Sequence, residues 1–67
     1  MNILINIGIK IRALRKQKGL SQEKLAHLAN VDRTYIPKVE KGEINMTLNS
    51  LAKIAKALEV DINVFFE

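Results

Sequence analysis

Gly19-Leu20-Ser21-Gln22-Glu23-Lys24-Leu25-Ala26-His27-Leu28-Ala29-Asn30-Val31-Asp32-Arg33-Thr34-Tyr35-Ile36 is the stretch whose punctuation decides the fold. Gly19 follows a basic turn and suits the left-handed residue that closes a helix, having no Cβ to clash there. Ser21 then offers an N-cap oxygen for a second helix. Lys24 stands where a capping box would carry Glu or Gln, so that box is incomplete. Leu25, Leu28 and Ala29 give the short second helix an apolar face. Asn30 tolerates the left-handed conformation better than most residues and can end it. Val31 is a turn residue with an apolar side chain to bury. Asp32 is a strong N-cap, which predicts a third helix from Asp32 to Lys41 with Ile36 and Val39 as its inner face and Gly42 as its stop.

Outward from this pair the chain reads as more short helices. Ile7, Ile11 and Leu14 follow the i, i+4, i+7 rule, with Lys10, Arg12, Arg15, Lys16 and Lys18 mostly turned outward. Thr47 or Asn49 can cap a fourth helix carrying Leu48, Leu51, Ile54, Ala55 and Leu58. The Glu59-Val60-Asp61 corner leads into a one-turn helix bearing Ile62, Phe65 and Phe66, with Asp61 as its cap. No stretch shows strand alternation of useful length, and no repeat or low-complexity segment interrupts the pattern. An all-α, five-helix domain is expected over residues 1–67.

Composition narrows the function classes. Sixty-seven residues allow one domain, since separate cores normally need about 100–200 residues each. A chain this short buries only about 60% of the surface its unfolded form exposes, so its stability margin is thin. The sequence has no cysteine and a single histidine, His27, so it offers neither a disulfide nor a metal site, and His27 is expected on the surface of the second helix. Good helix packing, a partner chain, or both must supply the stability. The apolar run Ile3, Leu4, Ile5, Ile7, Ile9, Ile11 is broken by Asn2, Asn6, Gly8 and Lys10. It falls far short of the roughly 20 apolar residues of a membrane span and lacks the order of a signal peptide, so a cytoplasmic protein is expected.

The net charge of +4 is unevenly spread. Six basic residues and one acid, Glu23, lie between Lys10 and Lys24. From Leu25 to Glu40 the charges cancel, and from Lys41 onward they sum to −1. A basic first third suits a polyanion partner or a solvated basic helix face.

Two short helices with a tight turn between them, the second freshly capped, have the outline of a helix-turn-helix over about residues 21–41. Ala26 fits that outline, because helices crossing closely need a small residue at the contact. The residues themselves are familiar. Ile11-Arg12-Ala13-Leu14-Arg15-Lys16-Gln17-Lys18-Gly19-Leu20-Ser21-Gln22-Glu23-Lys24-Leu25-Ala26 resembles the opening of the Cro/phage-repressor (XRE-type) helix-turn-helix family. Tyr35-Ile36, then Val39-Glu40-Lys41-Gly42, then Leu48-Asn49-Ser50-Leu51-Ala52-Lys53-Ile54-Ala55-Lys56-Ala57-Leu58 continue the match. Within that family, Asp32-Arg33-Thr34-Tyr35-Ile36 followed by Asn45 and Thr47 resembles the controller proteins of restriction–modification systems. The resemblance implies a lambda-repressor-like fold and a regulator that binds double-stranded DNA.

It also implies roles for particular residues. Members of the family lay the helix corresponding to Asp32–Lys41 in the major groove, so Arg33, Thr34 and Tyr35 are expected at base edges. Arg33 can give guanine O6 and N7 a bidentate pair of donors. Gln22, Lys38, Asn45 and Thr47 are expected on backbone phosphates. Each has a local alternative: Arg33 solvated, Thr34 capping its own turn, Tyr35 packed on the first helix, Asn45 and Thr47 serving a turn and an N-cap. Arg15 and Glu40 match positions that form a partly buried salt bridge between the first and third helices. Pro37 departs from the family pattern, which mostly has a small polar residue there. About five positions into the expected helix, it should remove the bond to the Arg33 carbonyl, with limited damage because that bond lies in the first turn. It should slightly bend or loosen that turn, re-aiming Arg33 and Thr34.

A single short recognition helix reads few base pairs, so a homodimer on a palindromic operator is expected. Leu58, Ile62, Phe65 and Phe66, in the stretch 58–67, are the expected dimer contact, because Phe65 and Phe66 stand side by side and cannot both face one small core. With no room for a sensor, regulation is expected to run through protein concentration, often at the protein's own promoter, with RNA polymerase as a further partner if it activates. A phage- or plasmid-type repressor or an antitoxin would look nearly the same. A protein-interaction module and a membrane-surface peptide are the rivals from other classes, and the basic first helix, Arg33 and the core use of Ile7, Ile11 and Leu14 argue against them. No cofactor or small-molecule ligand is expected. Nor is an enzyme, since there is no cysteine, no paired acid and base and no glycine-rich phosphate loop.

Overall fold

The computed structural model describes residues 2–67. Four α-helices follow one another: α1 (Ile3–Gln17), α2 (Gln22–Ala29), α3 (Tyr35–Glu40) and α4 (Leu48–Ala57). The fifth element is a 3-10 helix, Ile62–Phe66, in place of the expected fifth α-helix. Asp61 opens it by accepting from the Asn63 amide at 2.8 Å, and its i to i+3 bond, Val64 N–H to the Asp61 carbonyl, spans 3.0 Å. Five residues with two β-branched side chains are too few to close successive α turns.

Helix starts follow the side-chain oxygens. Asn2 accepts from the Leu4 and Ile5 amides, Ser21 from Lys24 and Thr47 from Ser50. Helix ends share one device. Gly19, Asn30, Gly42 and Glu59 all have positive φ, between 57° and 71°. The amide after each bonds back to a carbonyl five residues earlier: Leu20 to Arg15, Val31 to Ala26, Glu43 to Lys38 and Val60 to Ala55. That is the Schellman stop, and it satisfies carbonyls a helix end would leave unpaired.

The third helix starts later than expected. Asp32, Arg33 and Thr34 form a capped turn, in which Asp32 Oδ1 accepts from the Thr34 amide at 2.8 Å and the Thr34 hydroxyl at 2.6 Å. Regular helix begins only at Tyr35. Pro37 is therefore the third helical residue, where the N–H has no helical acceptor in any case. The carbonyl its ring would crowd belongs to Arg33, outside the helix. The expected effect on the first turn takes the form of this late start, with Arg33 and Thr34 in a turn and not in regular helix.

The core is built from every helix: Ile7 and Ile11 of α1, Leu25, Ala26 and Ala29 of α2, Ile36 and Val39 of α3, Leu51, Ile54 and Ala55 of α4. Leu58 and Phe65 complete it, 0% and 2% exposed. Leu28 and Leu48, expected on inner faces, are exposed instead, Leu48 by 71%. Leu48 is the first residue of α4, and burial within that helix begins only at Leu51. No helix among the described residues is long and apolar enough to cross a membrane.

Gly8 fixes how closely α1 meets α3. A Cβ there would lie 2.5 Å from the Val39 carbonyl oxygen and 2.7 Å from that of Glu40. Both atoms belong to backbone and cannot swing aside. Gly8→Ala gains about 1 kcal/mol of helix propensity, but the overlap should cost about 1–3 kcal/mol or more. A net fall in melting temperature of several degrees is expected by circular dichroism. A rise would show that the two helices are free to separate.

Candidate nucleic-acid interface

The guanidinium of Arg15 ties the helix-turn-helix to the first helix. Its Nε donates to Glu40 Oε2 at 2.7 Å and its Nη2 to Oε1 at 3.1 Å, a fork-on-fork pair. Nη1 donates to the Leu20 carbonyl at 2.8 Å, reaching the turn before α2. Gln22, the first residue of α2, donates from Nε2 to Glu40 Oε1 at 3.1 Å. Arg15 is 8% exposed and Glu40 9%, so Arg15 is not one of the outward basic residues of α1. Among the described residues, no buried side-chain nitrogen or oxygen lacks a partner.

On this frame α3 presents one face outward. Ile36, Val39 and Glu40 are buried, leaving Lys38 and the flanking Thr34 and Lys41 exposed, with Pro37 half-buried. Arg33, in the turn ahead of the helix, is exposed, and its Nη1 stands 3.9 Å from Glu23 Oε2 at the start of α2. Both partners are solvated, so that contact contributes little. Thr34 is turned onto Asp32, the local capping use of its hydroxyl. Tyr35 is half-buried and packs against the core. Asn45 is exposed in the loop after α3, and Thr47 serves as the N-cap of α4.

Arg33, Thr34, Lys38, Asn45 and Thr47 are thus the exposed members of the expected set, Thr34 and Thr47 also serving local caps, while Gln22 and Tyr35 are half-buried. The dimer residues divide similarly. Leu58 and Phe65 face the protein's own core and have no surface to offer a partner, which corrects the expectation for both. Ile62 is half-buried and Phe66 is 51% exposed, so only one of the two adjacent rings points outward. Arg12 and Lys41 were absent from the expected set. They line the same hollow as Arg15, Gln22, Pro37 and Glu40, and only the packing of α1 on α3 brings them together.

The helix-turn-helix family model matches residues 11–65. The control protein C.BamHI of Bacillus amyloliquefaciens is 45% identical over 60 residues, covering 88% of this chain and 74% of the relative. The crystal structure of the restriction–modification controller protein C.AhdI from Aeromonas hydrophila superposes with a TM-score of 0.91 at 43% identity, over 94% of this chain and 96% of that one. C.Esp1396I bound to a 25 base pair operator site superposes with a TM-score of 0.86 at 44% identity, over 96% of this chain and 84% of that one. The chain belongs to the helix-turn-helix family and, within it, to the restriction–modification control proteins.

Two consequences of this geometry are measurable. Glu40→Gln leaves Arg15 charged and buried without its counter-ion, which should cost about 3–5 kcal/mol. Replacing both partners, Arg15→Met with Glu40→Leu, should recover much of that loss. Thermal denaturation of the two variants checks this, and an unchanged melting temperature in Glu40→Gln would show that the pair does not stabilise the fold. The hydrogen bonds from the Thr34 hydroxyl and amide hold the Asp32 carboxyl below its ordinary pKa, with smaller help from Arg33 and Lys38. A lowered folded-state pKa means that the cap's contribution is present above the ordinary carboxylate range and is lost as pH falls through the folded value. The Thr34 amide resonance should titrate with a midpoint below about 3.9. A midpoint at or above that value would show that Asp32 does not hold the turn.

Proposed function

We propose that this chain is a restriction–modification controller protein that binds a palindromic operator as a homodimer and regulates its own promoter. As a member of its family it is a DNA-binding transcription regulator, which is not an enzyme class. The observation that carries the operator reading is the match over nearly the whole chain to a relative solved on its operator, together with the free outward face of α3. Arg33 and Thr34 read base edges at the start of α3 in this reading, with Tyr35 at the margin between base and backbone. Lys38, Asn45 and Gln22 hold phosphates, Gln22 through whatever donor capacity remains beside its bond to Glu40. Thr47 contributes from the α4 cap.

Dimerisation in this reading uses Phe66 and Ile62, since Leu58 and Phe65 are occupied by the core. An exposed phenylalanine and a half-buried isoleucine in one short 3-10 helix suit an apolar subunit contact. Two half-sites about 34–36 Å apart would then be read by two α3 helices. RNA polymerase is a further partner wherever the bound protein activates.

Fluorescence titration of duplex DNA from upstream of the protein's own gene, against a shuffled duplex, tests the reading. The natural duplex should bind more tightly, and Arg33→Ala should lose about 1–3 kcal/mol of that discrimination. Equal binding of both duplexes by the unaltered protein would contradict it. Sedimentation of Phe66→Ala tests the assembly. The variant should dissociate to monomer at concentrations where the parent is a dimer, and an unchanged dimer would take Phe66 out of the interface.

A further inference from the structure

We propose that Arg12 and Lys41 form a phosphate clamp at the α1–α3 junction, touching the DNA backbone at a point additional to those of Gln22, Lys38, Asn45 and Thr47. The inference rests on the operator-binding reading and specifies where a further strand contact lies.

The clamp follows from the packing. Gly8 lets α1 lie against the end of α3, with the Val39 and Glu40 carbonyls where its side chain would be. Arg12 is one helical turn beyond Gly8 and so emerges along that edge of α3. Lys41 retains helical dihedrals, φ −87° and ψ −7°, as does Thr34, φ −77° and ψ −12°. They are seven residues apart, about two turns, and share the outward face on which base reading is proposed.

The hollow between Arg12 and Lys41 is bordered by Arg15, Gln22, Pro37 and Glu40. Its one acid, Glu40, is already matched by Arg15 and by the Gln22 amide. Arg12 and Lys41 therefore leave two uncompensated positive charges at the rim. Among the described residues neither takes part in an ion pair, and both are exposed. Half-buried Pro37 floors part of the hollow without adding a donor or a charge. A phosphodiester carries one negative charge and two free oxygens, which suits a guanidinium on one side and an ammonium on the other. Because phosphates carry no base identity, the clamp adds affinity and fixes register without adding sequence preference.

The test is the double variant Arg12→Gln, Lys41→Gln, in which two exposed charges are removed and the Arg15–Glu40 frame is left intact. Binding of the natural duplex and of a shuffled duplex is measured across a salt series, with Arg33→Ala alongside. The double variant should bind both duplexes more weakly by a similar factor. Its slope of log affinity against log salt should be shallower by about 0.9 for each phosphate that is no longer neutralised. Arg33→Ala should instead lose preference for the natural duplex. An unchanged slope in the double variant, or a weakening confined to the natural duplex, would overturn the clamp while leaving operator binding in place. Failure of the unaltered protein to prefer its natural duplex would overturn the operator reading itself.

Discussion

One guanidinium holds the parts of this protein in register. Arg15 reaches Glu40 at the end of α3 and the Leu20 carbonyl ahead of α2, and Glu40 in turn receives Gln22 at the start of α2. Three helices and one turn thus converge on a single ionic centre. The apolar core beneath it is non-directional and would tolerate a range of helix angles. The fork of an arginine on a carboxylate would not. The inner end of α3 is fixed in this way, and with it the direction in which its outward face points. A domain of 67 residues has little other means of orienting a helix only six residues long.

Close approach is the second constraint, and it cooperates with the first. Gly8 permits α1 to rest on the α3 backbone, and that proximity brings the Arg15 side chain within reach of Glu40. Gly42, just past α3, is fitted just as tightly, since a Cβ there would come within 3 Å of Ile5. The two glycines and the ion pair therefore describe one joint between α1 and α3.

Much of this was legible in the sequence because it is encoded locally. Gly19, Asn30 and Gly42 marked the helix ends through their tolerance of positive φ, and Ser21, Thr47 and Asp61 marked starts through their cap oxygens. Ile7, Ile11, Leu51 and Ile54 announced the core by their spacing. What escaped depends on long-range packing. Gly8 looked like a break in an apolar run, since nothing nearby in sequence reveals the carbonyls of α3 against it. Arg12 and Lys41 lie far apart in the chain and share a hollow only after folding. Phe65 and Phe66 could not be told apart by pattern, and the short 3-10 geometry decides which ring turns inward. The start of α3 differs from expectation because an Asp cap is equally compatible with a helix and with the turn that precedes one. That difference moves Pro37 from about the fifth helical position to the third, where its missing N–H costs still less.

In the proposed reading, the frame built around Arg15 presents α3 to DNA in a sequence-specific way. Selection from a pool of random duplexes by the unaltered protein, followed by sequencing and a salt titration of the enriched species, tests this most directly. The expected result is a two-fold symmetric site whose affinity falls steeply as salt rises. Even recovery of all sequences, or binding indifferent to salt, would contradict it.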